Sequence, residues 1–403
     1  MQSPACCFFL FFTLAGFAYV QESPPVAKSP TVRDAAAALS VGDLSRAEAD
    51  LQAILRKTPA DAHALNLLGI VRVQQKREVD AEPLFQQAIA LQPNYAGAQA
   101  SLGLLYAQMG KNDLAVAPLN EALRLDPGRK DAQSVLIGIW RDQAHAAVQT
   151  GDAEKALALL IEARKLNPSD PSLRADVQYD LGMIALRMSL FSDAIDAFNE
   201  VLKVKPDDAP SLYASGRAKI AAAKFDDAQQ AFENYTQLRP NDASGYYALG
   251  ITLQALQRAS DARTQYEKSI ALQPQQTESY LQLGLMDLDA GNIDTAGEQF
   301  QRILKRAPQH AGALTGLGRV KFQKKQYSEA ASLLAKAVAS NPGSREAHYY
   351  LGLADVRLGK KEESEKELQT AGRIEHEEVE KHQNMLKILD TNQIDINTAQ
   401  PNQ

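Results

Sequence analysis

Nine prolines stand at an almost fixed interval. They occupy positions 59, 93, 127, 168, 206, 240, 274, 308 and 342, and six of the eight gaps are 34 residues. A chain with this period is not free to choose among globular folds. Each unit of 34 residues must bury its apolar face against its neighbours, so the expected product is one linear array rather than two or three separate cores. Proline cannot continue a helix, so each one marks the end of a helix and a turn.

Other residues recur in the same register. Leu-Gly falls at 68–69, 102–103, 181–182, 249–250, 283–284, 317–318 and 351–352. Ala follows at 81, 115, 156, 194, 228, 262, 296 and 330, and a large apolar or aromatic residue four places later, as at Phe85, Leu119, Phe198, Phe232, Tyr266 and Phe300. This pattern resembles the tetratricopeptide repeat family. The resemblance implies an all-α, right-handed α-solenoid of about ten helix-turn-helix repeats spanning 28–378, with units starting at 28, 62, 96, 137, 175, 209, 243, 277, 311 and 345. The first unit carries Ala35 at the Leu-Gly step, and the tenth has Ser364 and His376 in place of Ala and Pro. Atypical ends are expected where one side of a terminal unit faces water.

The residue types have physical reasons. Gly at position 8 and Ala at position 20 of a unit let its two helices approach closely, and the large residue at position 24 fills the space toward the next unit. Asp61, Asp170, Asp208, Asp242 and Ser344 stand where an N-cap is needed. Gly110, Gly151, Gly291 and Gly359 lie between paired helices, where a left-handed backbone is expected. Trp140 reads as a packing residue. Two proline gaps exceed the period, by seven and four residues, on either side of the fourth unit. Seven residues are almost two helical turns, so the fourth unit's first helix should run from about Asp131 to Gln149. The insertion Pro171-Ser172-Leu173-Arg174 follows an Asp cap and should lengthen the next first helix by about one turn.

Residues 1–20 contain no charged side chain, and Cys6 to Val20 is nearly all apolar or small. Fifteen residues are short for a membrane span and fit the core of a secretory leader, with Gly16 and Ala18 placed for cleavage after Ala18. The expected organisation is a signal peptide over 1–18, a Pro-rich linker over 19–27, the repeat array, a C-terminal cap helix over 379–390 and a disordered tail over 391–403. Cys6 and Cys7, the only cysteines, would leave with the leader. The expected location is exported, periplasmic or extracellular, with no transmembrane span in the mature chain.

In the family the resemblance points to, positions 2, 5, 9 and 12 of the first helices line a concave groove. Here those positions carry Tyr179, Met183, Tyr213, Arg217, Tyr247, Ile251, Leu285, Arg319 and Tyr349, the candidate partner-binding residues. Tyr179, Tyr213 and Tyr247 are spaced 34 apart in consecutive units and should form an aromatic row. Tyrosine and arginine dominate binding hot spots because they offer large contact area and directed hydrogen bonds. Joint replacement of the three tyrosines by Ala is expected to abolish capture with little loss of helicity. The paired Lys and Asn residues of co-chaperones that hold C-terminal carboxylates are missing from these positions.

Enzymatic motifs are missing too. His376-Glu377-Glu378-Val379-Glu380 begins like a zinc-protease helix but has Glu where the second His belongs. Gly316-Leu317-Gly318 lies in a repeat helix and not after a strand. No catalytic residue, metal or cofactor is expected. A formal net charge of −6 argues against nucleic acid as a partner. The expected function is a non-enzymatic scaffold or adaptor of the cell envelope that binds an extended peptide or partner helix. By resemblance, exported bacterial members organise secretion, pilus or polysaccharide-export assemblies. Two alternatives stand beside it: a carbohydrate-binding component of a polysaccharide export assembly, and a regulatory subunit of a separate enzyme.

Overall fold

A computed structural model describes residues 29–396. The expected leader (1–18) and linker (19–27) lie outside the described residues, as do residues 397–403. Every described element is a helix, and the helices come as ten hairpins. The chain divides into two compact units between Ile139 and Trp140. The first holds α1 (Val32–Ser40) and α2 (Leu44–Lys57), α3 (Ala62–Gln74) and α4 (Glu78–Leu91), α5 (Ala96–Gln108) and α6 (Asn112–Leu125), and the start of α7 (Lys130–Gln149). The second holds the rest of α7 with α8 (Ala153–Lys165), α9 (Pro171–Arg187) with α10 (Phe191–Val204), and α11 (Ala209–Ala221) with α12 (Phe225–Leu238). It continues through α13 (Ala243–Ala255) and α14 (Ala259–Leu272), α15 (Glu278–Asp289) and α16 (Ile293–Arg306), α17 (Ala311–Gln323) and α18 (Tyr327–Ser340), and α19 (Arg345–Leu358) and α20 (Lys361–Ile396).

The punctuation follows from local chemistry. Asp61, Asp170, Asp208, Asp242 and Ser344 all accept a hydrogen bond from a backbone N–H of the helix they open. Each satisfies a donor that the first turn leaves without an intrahelical partner. At the other end, the pyrrolidine ring of each repeat proline disfavours a helical residue before it. Thr58, Gln92, Asp126, Lys205, Arg239, Gln273, Ala307 and Asn341 accordingly leave the helical region, with φ between −142° and −126° and ψ between 63° and 90°. The fourth repeat differs. There α8 stops earlier, and Asn167 (φ 44°) makes the turn before Pro168.

The hairpin turn is left-handed in all ten repeats. Gly42, Gly110, Gly151, Gly291 and Gly359 have φ between 72° and 83°. Lys76, Ser189, Ala223, Gln257 and Lys325 take the same place with φ between 57° and 61°. The turn is therefore imposed by the packing of the two helices, since half of the repeats hold it without glycine's freedom.

That packing is visible at position 8. A Cβ added to Gly182, Gly216, Gly250 or Gly284 would fall within 2.7 Å of the ring of Phe198, Phe232, Tyr266 or Phe300 of the same repeat. Phe300 is enclosed on a second side as well, because a Cβ on Gly316 of the next repeat would come within 2.4 Å of it. The large residue at position 24 thus covers its own repeat's glycine before it reaches the neighbour. All four rings are fully buried, and each stabilises the fold by roughly 1.5–3 kcal/mol relative to an exposed ring.

Helix α7 runs over Lys130–Gln149, the lengthened first helix expected from the seven-residue insertion. Helix α9 opens on Pro171 and has 17 residues against 13 in α11 and α13. The C-terminal expectation needs correction. The second helix of the tenth repeat and the expected cap helix over 379–390 are one continuous helix, α20, and the tail expected to be disordered from 391 is helical to Ile396. His376 replaces the repeat proline, and no proline stands between Ala371 and Ile396 to stop the helix. No helix among the described residues is long and apolar enough to cross a membrane.

Candidate protein-binding cleft

Three clefts in the second unit share residues and lie along the faces of α9, α11 and α13. The central one, of about 870 Å³, is lined by Tyr179 and Met183 from α9, Tyr213 and Arg217 from α11, and the α12–α13 turn. A smaller cleft of about 230 Å³ shares Tyr179 and Pro210 with it and extends toward Arg141 and Lys205. Another, of about 480 Å³, shares Tyr213 and Gln273 and adds Tyr247, Ser244, Gln276 and Glu278. The repeat spacing places one tyrosine per first helix at position 5, so the expected aromatic row is present.

The row is half-buried rather than free. Tyr179 sits 5.9 Å from Phe198, Tyr213 5.6 Å from Phe232, and Tyr247 6.0 Å from Tyr266, ring centre to ring centre. Each first-helix tyrosine therefore leans on the core ring of its own hairpin. Burial pushes all three hydroxyls above the ordinary tyrosine range. The rings serve packing and the cleft wall together, and their removal must cost stability.

The cleft's far wall escaped the sequence reading. Tyr235 stands at the end of α12, where the other repeats have small or aliphatic residues or Ser269. Its ring lies 5.1 Å from Tyr213 and occupies the space that a Cβ on Gly245 would need. Gly245 replaces the larger residues found at that position in other repeats, so a Tyr and a Gly out of pattern ten residues apart were the available signal. The Tyr235 hydroxyl donates to Asp242 Oδ2 at 2.5 Å. Burial and the Asp242 carboxylate together push Tyr235 up to about 12. Burial alone would raise Asp242, but the Tyr235 hydroxyl, the Ser244 N–H at 2.9 Å and Arg239 hold it below the usual carboxylate range.

Apolar and cationic groups meet across this wall. Met183, Leu238 and Leu272 all line the central cleft, and all are at least 37% exposed. Arg217 and Arg239 line it as well and are exposed, and among the described residues neither forms an ion pair. Asp242, the only carboxylate of the lining, is already engaged. At the smaller end cleft both cations are paired: Arg141 donates to Asp180 at 2.6 Å and Lys205 to Asp176 at 2.9 Å, while Asp208 accepts the Ser211 N–H.

The remaining candidate residues lie outside the three linked clefts. Ile251 and Leu285 are partly buried and pack against the cores of their repeats. Arg319 is no free groove charge. Its Nη1 donates to Glu346 at 2.7 Å, its guanidinium lies 5.2 Å from the Tyr350 ring centre, and the side chain is 14% exposed. Glu346, on the first turn of α19, is the partner that spacing alone did not show. Tyr349 is exposed and meets Tyr350 edge-on at 5.4 Å.

Comparison with known proteins agrees with this architecture. Family models for the tetratricopeptide repeat match residues 34–96, 79–130, 141–210, 213–277 and 281–345, and a second tetratricopeptide model matches 321–387. The chain belongs to the tetratricopeptide repeat family. Among sequences it is similar to the PEX5-related protein of Homo sapiens, 30% identical over 175 residues, which is 42% of this chain and 27% of that protein. It is also similar to the peroxisomal targeting signal receptor of Yarrowia lipolytica, 29% identical over 42% of this chain and 28% of the receptor. The chain thus spans less than a third of the length of these curated relatives. Among solved structures, a tetratricopeptide repeat protein from Parabacteroides merdae aligns with a TM-score of 0.51 at 16% identity, covering 59% of this chain and 93% of that one. At that identity the likeness shows the fold alone.

Proposed function

We propose that this protein is a non-enzymatic adaptor that holds an extended segment of a partner protein across α9, α11 and α13. The observation that carries the reading is continuity: the central cleft is open to a further cleft on either side, each through two shared residues. Such a run suits a peptide that passes through and makes several contacts, each of modest strength. One relative is by its name a receptor for a targeting signal, which supports a receptor-like use. A sugar chain finds no such support, and the half-buried tyrosines offer little free ring face for stacking on one. An exported, cell-envelope location remains part of the proposal and rests on the apolar leader of residues 6–20 and the prolines that follow it.

The test is site-specific photo-crosslinking in the native cell. A crosslinker at Met183 should form adducts with one defined segment of a partner, and one at Asp226, exposed on α12, should not. Changing Met183, Leu238 and Leu272 together to Gln should weaken capture by about tenfold or more while helicity is kept. Equal adducts at both positions, or capture unchanged in the triple variant, would overturn the assignment.

A further inference from the structure

The central cleft has a charge excess opposite in sign to that of the whole chain. The protein carries a formal net charge of −6, yet two exposed arginines face this cleft with no ion pair among the described residues. The single carboxylate in the wall, Asp242, offsets one of the two charges at most: it feels Arg239 while its oxygens accept the Ser244 N–H and the Tyr235 hydroxyl, which leaves the lining with a net positive charge. Around the arginines stand three half-exposed apolar side chains, Met183, Leu238 and Leu272. A guanidinium is weakly hydrated, presents a rigid fork of donors and pairs well with a carboxylate beside apolar surface.

The flanking clefts determine what kind of carboxylate fits. On one side both cations are already paired, Arg141 with Asp180 and Lys205 with Asp176, and Asp208 adds a further carboxylate that caps α11. On the other the lining is polar and amide-rich, with Ser244, Gln273, Gln275 and Gln276, and carries one carboxylate, Glu278, so the cationic excess is confined to the central cleft. A bound chain therefore has room to continue past the arginines in both directions. A receptor for a chain terminus would be expected to close on one side. From these observations we infer that Arg217 and Arg239 form a recognition point for an internal Asp or Glu side chain of the partner, flanked by apolar residues. The inference rests on the peptide-docking reading above and adds the chemical identity of the central contact. Long-range repulsion disfavours acidic chains in general, and only one that places its carboxylate between the two arginines recovers that loss.

The experiment uses the full chain, immobilised, and pools of peptides capped at both ends. One pool has a central Glu, a second a central Gln, and both are randomised among apolar and uncharged polar residues elsewhere. A third is the Gln pool with a free C-terminal carboxylate. The Glu pool should be retained about tenfold over the Gln pool at low salt, and the ratio should shrink as salt rises. In the variant Arg217→Gln/Arg239→Gln the ratio should fall to about unity, and Arg217→Lys/Arg239→Lys should keep part of it. Both arginines are exposed, so neither variant threatens the fold. Equal retention of the Glu and Gln pools, or preference for the free terminus alone, would overturn the inference. If retention is equal but disappears in Met183→Gln/Leu238→Gln/Leu272→Gln, docking in the cleft stands and only the acidic contact falls. Retention of none of the pools would sink both readings.

Discussion

Exchanging the residue at the left-handed hairpin position in two repeats, Ala223→Gly in one and Gly110→Ala in the other, should move local stability in opposite directions. Ala223 holds φ 57° and Gly110 holds φ 72°. A Cβ at Gly110 would meet nothing within 4 Å, so packing does not enter there and the effect is one of backbone conformation. A left-handed Ala costs about 1–2 kcal/mol, and Gly restores about 0.5–1 kcal/mol of that as extra freedom in the unfolded chain. The net expectation is about 0.5–1 kcal/mol of stabilisation for Ala223→Gly and a similar loss for Gly110→Ala. A long repeat array does not unfold in one step, so a single melting temperature is the wrong measure. Hydrogen exchange read hairpin by hairpin is better. The Lys224 N–H bonds Lys219 O at 2.8 Å and the Lys111 N–H bonds Tyr106 O at 2.8 Å, so each amide reports its own turn. Exchange at Lys224 should slow about two- to fivefold in the first variant and quicken by a like factor at Lys111 in the second. Shifts of the same sign in both, or a faster Lys224, would refute the reasoning.

Two further outcomes follow from the cleft. Tyr179→Ala, Tyr213→Ala and Tyr247→Ala combined should lower stability by several kcal/mol, since removal of a fully buried ring costs about 3–5 kcal/mol and these are half-buried. Hydrogen exchange in α9 to α14 should show the loss, and the corresponding Phe triple should not; an unchanged Ala triple would mean the rings do not support their hairpins. Tyr235 should add a pH dependence on the alkaline side. Its folded value lies above the unfolded value of 10, so the stability it supplies is complete below pH 10 and is lost as pH rises toward about 12. Denaturation of Tyr235→Phe should be correspondingly flatter over that window, and parallel curves for the two proteins would remove Tyr235 as the cause.

Local features of this fold could be read from residue types because each depends on a few neighbouring atoms. A proline ends a helix by its own geometry, an Asp before a first turn caps it, and an insertion of seven keeps the buried face of α7 in register. The first helices' tyrosines were legible by the same spacing. Their half-burial was not, because it depends on how far Phe198, Phe232 and Tyr266 protrude from the paired helix. Arg319 looked like a groove charge until Glu346 of the following helix was placed beside it. The opposite wall of the cleft was missed for a different reason. Tyr235, Leu238 and Arg239 belong to the end of a second helix, and only the joining of two hairpins brings that end next to the first-helix positions. The continuous α20 shows a stop signal lost rather than a new element gained.

The enclosure of Phe300 by a glycine of its own hairpin and a glycine of the next has a kinetic counterpart. Among the described residues, the substantial helix–helix contacts join helices that are adjacent or next but one in the chain. The loop that must close before such a contact forms is therefore no longer in the tenth repeat than in the second. Mean contact separation stays nearly constant as repeats are added, so folding time should depend on one hairpin and its neighbour and not on total length. Duplication of a whole repeat between two prolines would lengthen the protein without making it slower to fold.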